Sequence, residues 1–363
     1  MNILEEIQNC PVEWKELEAV VDTVTCPIKL TKKEYQVTGK IPIVDQGEQF
    51  IAGYSDNEKY LEKDEYIIFG DHSEHVKYVD FAFIQGADGL KILKPKSGIK
   101  AKYLYYCFCN FYKREGSYKR HWSKARTTLI PIPPLKIQEK IVQILDKFTD
   151  YVTELTSELT SRKKQYSYYL DKLLSFEDEV YQVEWKVLKD VATLKNGKDW
   201  KILPNGEIPV YGSGGEMGEF VSDYSYDKPT VLIPRKGSIS NLFYLEKAFW
   251  NVDTIYYTEI DENKIIPKYF YYYLTTVNLE EMATNPTRPS LTQAILDKIK
   301  IPVPSLEIQS RIVQVLDNFD MVCNDLNIGL PKEIELRQKQ YEYFREKLLT
   351  FVAEGEYTES RVE

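Results

Sequence analysis

Apolar positions follow two kinds of pattern in this chain, and each kind occurs twice. From about residue 25 to 128, short apolar or aromatic runs such as 41–44 and 65–69 are broken by Gly, Asp, Asn and Pro. These runs predict strands joined by turns, and the aromatic stretch 101–112 predicts a helix after them. Residues 195–298 repeat the order of elements with different loops. A shared scaffold with divergent loops is typical of two recognition domains with different targets, although two copies that drift without selection give the same pattern.

Each strand-rich region is followed by a long amphipathic pattern. In the first, residues 137–176 place apolar side chains at alternating steps of four and three, which is the seam of a coiled coil. At about 1.5 Å per residue, such a helix is a rod of roughly 60 Å. The seam needs a partner helix, which residues 308–351 supply. The side chains expected to pack in this spacer are Ile141, Leu145, Phe148, Val152, Leu155, Leu159, Leu316, Phe319, Leu326, Tyr341, Phe344 and Leu348.

Short motifs at the junctions repeat in register. The proline-rich segment 130–135 recurs as 301–306 after 171 residues, and the segment 12–17 recurs as 183–188 at the same distance. We interpret the tryptophan in each of the latter segments as an anchor that fixes where the chain enters its domain. The chain is therefore a tandem repeat of a strand-rich domain followed by a long helix.

The two helical patterns differ by four residues. The segment 162–176 matches 337–351 at an offset of 175, and the extra residues coincide with Gly329-Leu330-Pro331, where Gly and Pro predict a break or a kink. The first helix carries a four-residue unit written nearly twice at 153–160, Thr-Glu-Leu-Thr and Ser-Glu-Leu-Thr. One unit changes the helix length by roughly 6 Å. We interpret it as a ruler between two domains, and an ordinary structural heptad is the alternative.

Composition limits the class of protein. Hydrophobic residues at 43% and charged residues at 28% are values typical of globular proteins. No apolar run approaches the roughly 20 residues that a membrane helix needs. The N-terminus has neither the basic start nor the apolar core of a signal peptide, so we expect a cytoplasmic protein. The five cysteines are scattered and odd in number, which suits neither a disulfide framework nor a zinc site.

Charge is distributed unevenly along the chain. A net charge of −9 argues against a nucleic-acid partner only if it is spread evenly. Residues 25–128 carry 18 Lys and Arg against 13 Asp and Glu, whereas residues 194–298 carry 11 against 14. Local patches decide what such a surface binds, so the first region is the better candidate for contact with an anion.

The basic segment 113–126 gives the best signal for nucleic-acid binding. Its six Lys and Arg residues face one acid, and aromatic residues lie between them. This composition suits phosphate neutralisation with base-edge contact, and a solvated surface segment is the alternative. The candidates in it are Arg114, Lys119, Arg120, His121, Lys124 and Arg126.

The polar loop 71–77 is a second candidate in the first region. Its histidines, His72 and His75, are three residues apart, which is not the i, i+4 helical pair of zinc hydrolases. We therefore predict no metal site. Hydrogen bonding to bases or phosphates from His72, His75 and Lys77 is one interpretation, and a purely structural polar turn is the other.

Candidates in the second region are fewer. The glycine-rich segment 212–218 has Met217 where a dinucleotide-binding motif needs its third glycine, and we find neither a phosphate-binding loop nor an amino-methyltransferase motif. The sequence therefore predicts no catalytic residues. The candidates for DNA contact, with simple turns as the alternative, are Ser213, Arg235, Lys236, Thr287 and Arg288.

The duplicated plan resembles a known family. Two copies of Ile-Pro-x-Pro-x-Leu-x-Ile-Gln that run into a long helix, the matching segments 162–166 and 337–341, and the segment 206–215 resemble specificity (S) subunits of type I restriction-modification systems. The resemblance implies that each domain reads one half of a bipartite, gapped DNA target. It also implies two long helices that pack antiparallel and set the gap.

The same resemblance implies partners and cofactors. Two methyltransferase (M) subunits and the restriction/translocase (R) subunits are the expected protein partners, and double-stranded DNA is the expected target. S-adenosylmethionine, ATP and Mg are then expected on the partner subunits, with no cofactor and no catalysis in this chain. A coiled-coil scaffold whose two domains bind proteins is the competing hypothesis.

We therefore expect an α+β fold with an internal pseudo-twofold repeat. Two mixed α/β target-recognition domains, each a β-rich core with short helices, are joined by two long antiparallel coiled-coil helices. The predicted boundaries are 1–136 for the first recognition domain, 137–178 for the first spacer helix, 179–307 for the second recognition domain, 308–351 for the second spacer helix and 352–363 for an acidic tail that we expect to be disordered.

Overall fold

The computed structural model describes residues 3–176, 182–284 and 289–351. The chain forms two compact units, of which the first contains residues 1–154 with 334–363 and the second contains residues 155–333. Each unit thus combines one strand-rich region with parts of both helical patterns. The predicted acidic tail lies outside the described residues.

The first strand-rich region and the helix after it supply the elements up to residue 175. Its helices are α1 (Ile3–Gln8), α2 (Leu17–Val20), α3 (Ala101–Phe111), α4 (Trp122–Ala125) and α5 (Leu135–Ser175). Its strands are β1 (Glu13–Glu16), β2 (Val21–Val24), β3 (Lys29–Leu30), β4 (Ile41–Val44), β5 (Gly53–Ser55), β6 (Tyr66–Gly70), β7 (Val76–Val79), β8 (Ile84–Gly86), β9 (Leu90–Pro95) and β10 (Leu129–Ile132).

The second copy begins after the first long helix. Its helices are α6 (Pro267–Thr276), α7 (Leu279–Met282), α8 (Gln293–Leu296), α9 (Leu306–Asn324) and α10 (Leu330–Leu349). Its strands are β11 (Glu184–Val187), β12 (Ala192–Asn196), β13 (Asn205–Gly212), β14 (Gly215–Val221), β15 (Thr230–Pro234), β16 (Phe243–Leu245), β17 (Trp250–Asn251), β18 (Ile255–Ile260) and β19 (Lys300–Val303).

The two strand-rich regions share most of their sheet topology, although β3, which pairs with β8 in the first region, has no counterpart among the described strands of the sheet β14-β13-β17 of the second. The antiparallel order β2-β9-β6-β7 recurs as β12-β18-β15-β16. Likewise, β4 pairs antiparallel with β5 and parallel with β8, as β13 does with β14 and β17. The α+β class and the internal repeat predicted from the sequence are confirmed.

A fully buried strand lies inside each of the sheets β2-β9-β6-β7 and β12-β18-β15-β16. All five positions of β6 are buried, and so are all five of β15. Their apolar runs face the core on both sides of the sheet, which explains why neither strand alternates polar and apolar residues. In the first unit, α3 covers one face, where the Phe69 ring lies 5.5 Å from the rings of Phe108 and Tyr112.

The repeated junction motifs form one small ribbon in each copy. Strand β1 pairs with β10, and β11 pairs with β19, with Trp14 opposite Pro131 and Trp185 opposite Pro302. This identical register explains why the two motifs repeat at one spacing.

The anchor role predicted for the tryptophans fits only the first copy. Trp14 packs edge-on against Phe111, with ring centroids 5.5 Å apart. Trp185 is 52% exposed, so the prediction is wrong there. If the helices are aligned on the buried tyrosines Tyr103 and Tyr269, Val277 stands in the place of Phe111 and offers no ring to cover the indole.

The second helical pattern is interrupted, as Gly329-Leu330-Pro331 predicts. Helix α9 ends at Asn324 and α10 begins at Leu330. In the turn, an Asp325 carboxylate oxygen accepts the backbone N–H groups of Asn327 (2.6 Å) and Ile328 (3.2 Å). Pro331 lies in the first turn of α10, where its missing N–H has no helical partner to lose.

The packing predicted for Leu326 is wrong. Its side chain is 71% exposed, because the helix ends before it and the residue lies in the turn. The other predicted spacer side chains are buried or partly buried. They are Ile141, Leu145, Phe148, Val152, Leu155, Leu159, Leu316, Phe319, Tyr341, Phe344 and Leu348.

Helices α5 and α10 pack antiparallel in the first unit. The rings of Phe148 and Phe344 stack at 5.2 Å, and the Arg337 guanidinium lies 5.0 Å from the Tyr151 ring. From the first contact to the second, residue numbers rise along α5 and fall along α10, so the two helices run in opposite directions.

Helices α5 and α9 are joined in the second unit by aromatic stacking. Tyr166 and Tyr169 place their ring centroids 6.1 and 5.4 Å from that of Phe319. Leu174 at the end of α5 lies in the same buried core as Ile312 near the start of α9. The two helices therefore also run antiparallel.

The described residues contain no helix with the length and apolar character that a membrane span requires.

Candidate nucleic-acid interface

Two separate candidates from the sequence form a single surface in the first domain. The polar loop after β6 meets the basic segment between α3 and α4. The Asp71 carbonyl accepts the His121 N–H (2.9 Å), and an Asp71 carboxylate oxygen accepts the N–H groups of His121 (2.9 Å) and Trp122 (2.8 Å). Segments that lie some 50 residues apart in the sequence are thereby fixed together.

A buried carboxylate lies beneath this surface. Glu74 is 2% exposed and adopts a left-handed backbone conformation with φ of +57°. Its carboxylate accepts hydrogen bonds from the Tyr112 hydroxyl (2.6 Å) and from the N–H groups of Glu115 (2.9 Å) and Gly116 (2.8 Å). Burial alone would raise the pKa of Glu74, but these bonds and the nearby His121 hold its pKa below the usual value. Glu74 is therefore an anion that organises the segment above it.

The DNA contact predicted for His121 is wrong, because the side chain is only 1% exposed. Its Nε2 lies 2.7 Å from the Ser117 carbonyl oxygen, and its Nδ1 lies 3.3 Å from the Glu74 carboxylate. His121 is thus buried under the basic segment and links its Ser117 carbonyl to the Glu74 carboxylate.

The cations of the basic segment fall into two groups. Lys119 and Lys124 form ion pairs with Glu115 at 2.5 and 2.9 Å, and their hydrogen bonds lower the pKa of Glu115 to about 2. Arg126 is paired with Glu18 at 2.8 Å. These three side chains are exposed, but each already has a carboxylate partner.

Lys113, Arg114 and Arg120 form the second group. All three are exposed, and none has a carboxylate within ion-pair distance in the described part of the chain. Between them, Tyr118 is 91% exposed and stacks on the ring of His72, with centroids 5.3 Å apart. These are the side chains of the segment that remain free to meet a ligand.

The DNA contact predicted for Lys77 is also wrong. The residue is 6% exposed, and its Nζ donates to the carbonyl oxygens of Asp45 (2.8 Å) and Gln49 (2.5 Å). Burial lowers the pKa of Lys77. His75 is partly buried, and its carbonyl oxygen accepts the Gly70 N–H (2.9 Å) to close the turn. Lys77 and His75 thus make the contacts expected of a structural polar turn, which was the alternative interpretation of this loop.

The second domain builds its candidate surface on an equivalent backbone frame. The Arg235 N–H donates to the Thr254 carbonyl (2.8 Å), and the Arg235 carbonyl accepts the Leu291 N–H (2.9 Å). Asp71 makes the two corresponding bonds in the first domain. Arg235 directly follows buried β15 as Asp71 follows buried β6, so the two positions match in the fold although their side chains have opposite charge.

The frame brings together three of the predicted residues of the second domain. The Ser213 N–H donates to the Thr254 hydroxyl (3.2 Å), which places the glycine-rich turn beside Arg235 and Lys236. The Arg235 guanidinium lies 5.7 Å from the Tyr256 ring centroid, and Lys236 lies 3.7 Å from Asp253. Thr287 and Arg288 lie outside the described residues.

A repeated glutamine with no role assigned from the sequence ties each domain to its long helix. Gln138 is fully buried, and its side chain accepts the Lys100 N–H (2.9 Å) and donates to the carbonyls of Gly98 (3.1 Å) and Pro133 (2.9 Å). In the second copy, Gln309 makes the corresponding three bonds. The Ile-Gln repeat was the available signal, but the sequence did not show that the glutamine side chain is buried.

A repeated aspartate makes a second link to the same helices. The Tyr106 hydroxyl and the Lys102 ammonium bind the Asp146 carboxylate at 2.6 and 2.8 Å. Tyr272 and Lys268 bind Asp317 at 2.5 and 2.9 Å. Burial and the aspartate raise the pKa of both tyrosines, which therefore remain hydrogen-bond donors. Within the described ranges, no group of three or more His, Cys, Asp or Glu side chains could hold a metal ion.

Comparison with known proteins agrees with this duplicated architecture. Residues 11–162 and 182–336 each match the family described as type I restriction modification DNA specificity domain. The chain belongs to this family and carries two copies of its domain. The resemblance inferred from the sequence is confirmed.

Relatives match over nearly the full length of the chain. It is 35% identical to the EcoR124I/EcoR124II type I restriction enzyme specificity subunit of Escherichia coli, with 97% of each chain covered. It is 31% identical to a putative type I restriction enzyme specificity subunit of Haemophilus influenzae, covering 95% of this chain and 97% of the relative. The crystal structure of the S subunit from M. genitalium shares the fold, with a TM-score of 0.67 and 20% identity over 95% of this chain and 98% of that one.

Proposed function

We propose that this chain is a non-catalytic specificity subunit that directs a type I restriction-modification complex to a bipartite, gapped DNA target. Each recognition domain reads one half of the target. The observation that carries the proposal is the equivalent backbone frame after β6 and β15, on which the two domains display different side chains. A fixed frame with variable side chains is what two readers of different sequences need.

The partners follow from the same proposal. Two M subunits dock on the chain, and R subunits join the assembly. The relatives are named as specificity subunits of type I restriction enzymes, which supports an assembly with other subunits. S-adenosylmethionine, ATP and Mg belong to those partner subunits. The complex acts in the cytoplasm, where the DNA of a bacterial cell is found.

The long helices set the gap between the two halves of the target. Gln138 and Gln309 lock a recognition domain onto the start of a helix in each copy. A change in helix length within α5 then changes the spacing of the half-sites that the complex accepts. The unit at 153–160 lies inside this continuous helix.

Methylation mapping tests the proposal. The chain is co-purified with M subunits, supplied with S-adenosylmethionine and a random-sequence DNA library, and the methylated sites are sequenced. A two-part consensus with a fixed gap is the expected result. Methylation at single-part or unrelated sites would overturn the proposal and favour a protein-binding scaffold.

A further inference from the structure

Residues 112–121, which include the first part of the basic segment 113–126, are folded around a single buried group. The Glu74 carboxylate takes hydrogen bonds from one side chain and two backbone N–H groups of this segment, at 2.6 to 2.9 Å. At the far end, the His121 ring meets the Ser117 carbonyl at 2.7 Å. The segment has no regular secondary structure of its own between α3 and α4, so these contacts fix its conformation.

The segment presents two free guanidinium groups from this fixed backbone. Arg114 and Arg120 stand on either side of a turn at Gly116, where φ is +67°. Lys119 and Lys124, by contrast, are neutralised in part by Glu115. Arginine differs from lysine in a way that matters here, because its planar fork donates two parallel hydrogen bonds.

We infer that this Glu74-anchored segment reads bases in one half of the DNA target, with Arg114 and Arg120 directed at guanine. The inference rests on the proposed function and adds the recognition chemistry. A guanidinium donates to O6 and N7 of guanine in the major groove, a pair of acceptors that no other base presents in that arrangement. Base reading needs a group held in place, whereas phosphate contact tolerates a mobile cation.

Glu74 is a positioning residue in this scheme. It is 2% exposed and carries the same charge as DNA, so it acts only through the segment that it holds. Removal of the Glu74 carboxylate should therefore have an effect on base discrimination that the loss of one negative charge does not explain. Loss of a negative charge beneath a DNA-binding surface favours general affinity, whereas loss of the anchor lowers base discrimination.

The experiment uses the complex of the full chain with its M subunits and compares methylated consensus sequences. The variants are Glu74→Gln, Arg114→Gln and Arg120→Gln, and the control is Glu58→Gln, which removes one negative charge from an exposed residue of the same domain. We expect the wild-type complex to require guanine in the half that these variants affect. Each arginine variant should lose about tenfold in preference for guanine at one position of that half. Glu74→Gln should relax the same half by a similar factor, while the other half and the control stay unchanged.

Each outcome decides the inference. If the wild-type complex shows no two-part site, the proposed function fails. If it does, and the three variants keep their base preferences or lose only overall affinity, the inference is overturned while the proposed function stands. The melting temperature of the chain, compared with that of the Glu58→Gln control, reports whether Glu74→Gln is folded. If it is not, Tyr112→Phe removes one bond to Glu74 and should relax the same half to a smaller degree, and an unchanged consensus in this variant would overturn the inference.

Discussion

Gln138 and Gln309 occupy the same place in the two copies, and each joins the start of a long helix to the loop before an aromatic helix. Gln138 bonds to Lys100, Gly98 and Pro133, and Gln309 bonds to the equivalent backbone groups. Both glutamine side chains are fully buried, and so are their bonds to the carbonyls of Pro133 and Pro304.

Replacement of Gln138 by alanine should therefore destabilise the first unit. The change removes three hydrogen bonds and leaves the buried Pro133 carbonyl without its partner, which costs about 1–3 kcal/mol in the free energy of unfolding. Urea unfolding of Gln138→Ala against Gln143→Ala, an exposed glutamine on the same helix, measures the effect. Equal stability of the two variants would contradict the structural role.

Lys77 gives a test that separates structure from DNA contact. Lys77→Met keeps the length of the side chain but leaves the carbonyls of Asp45 and Gln49 unpaired, so we expect a loss of about 1–3 kcal/mol in the free energy of unfolding. The salt dependence of DNA binding by the complex should match that of Lys40→Met, an exposed control in the same domain. A slope reduced by about one relative to the control would instead show a phosphate contact at Lys77.

The acid sensitivity of the basic segment follows from its two glutamates. The folded-state pKa of Glu115 is about 2, below its ordinary value of 4.5, and the pKa of Glu74 is also lowered. The unfolded state therefore binds more protons between these values, and stability present above pH 4.5 is lost as the pH falls toward 2.

Glu115→Gln checks this linkage. The difference in melting temperature between the wild-type chain and the variant should be largest near neutral pH and should shrink as the pH falls from about 5 to about 2. A difference that stays constant over this range would show that the carboxylate contributes no pH-dependent stability.

Much of the architecture could be predicted from periodicity and repetition. The alternation of strand runs and the 171-residue repeat give the two scaffolds, and Gly329 and Pro331 locate the helix break. These features depend on local backbone preferences and on which face is apolar, both of which are written in the sequence.

The candidate interface could be located from the sequence but not resolved into roles. The polar pattern of 71–77 does not show that Lys77 points inward to two carbonyls or that Glu74 turns under the segment that follows α3. Such roles depend on neighbours some 30 to 40 residues away in the chain. The packing predicted for Leu326 is wrong for a related reason. The heptad spacing of the sequence continues through residue 326, although the helix has already ended at Asn324.

The four-residue unit at 153–160 supplies the last prediction. Deletion of Ser157–Thr160 removes roughly 6 Å of helix, which corresponds to one or two base pairs at about 3.4 Å each. We expect the complex with its M subunits to methylate a two-part target with the same half-sites and a gap shorter by one or two base pairs. Replacement of the same four residues by alanine keeps the helix length and serves as the control, with no change of gap. If the deletion variant keeps the original gap while both half-sites are still methylated, α5 does not set the spacing.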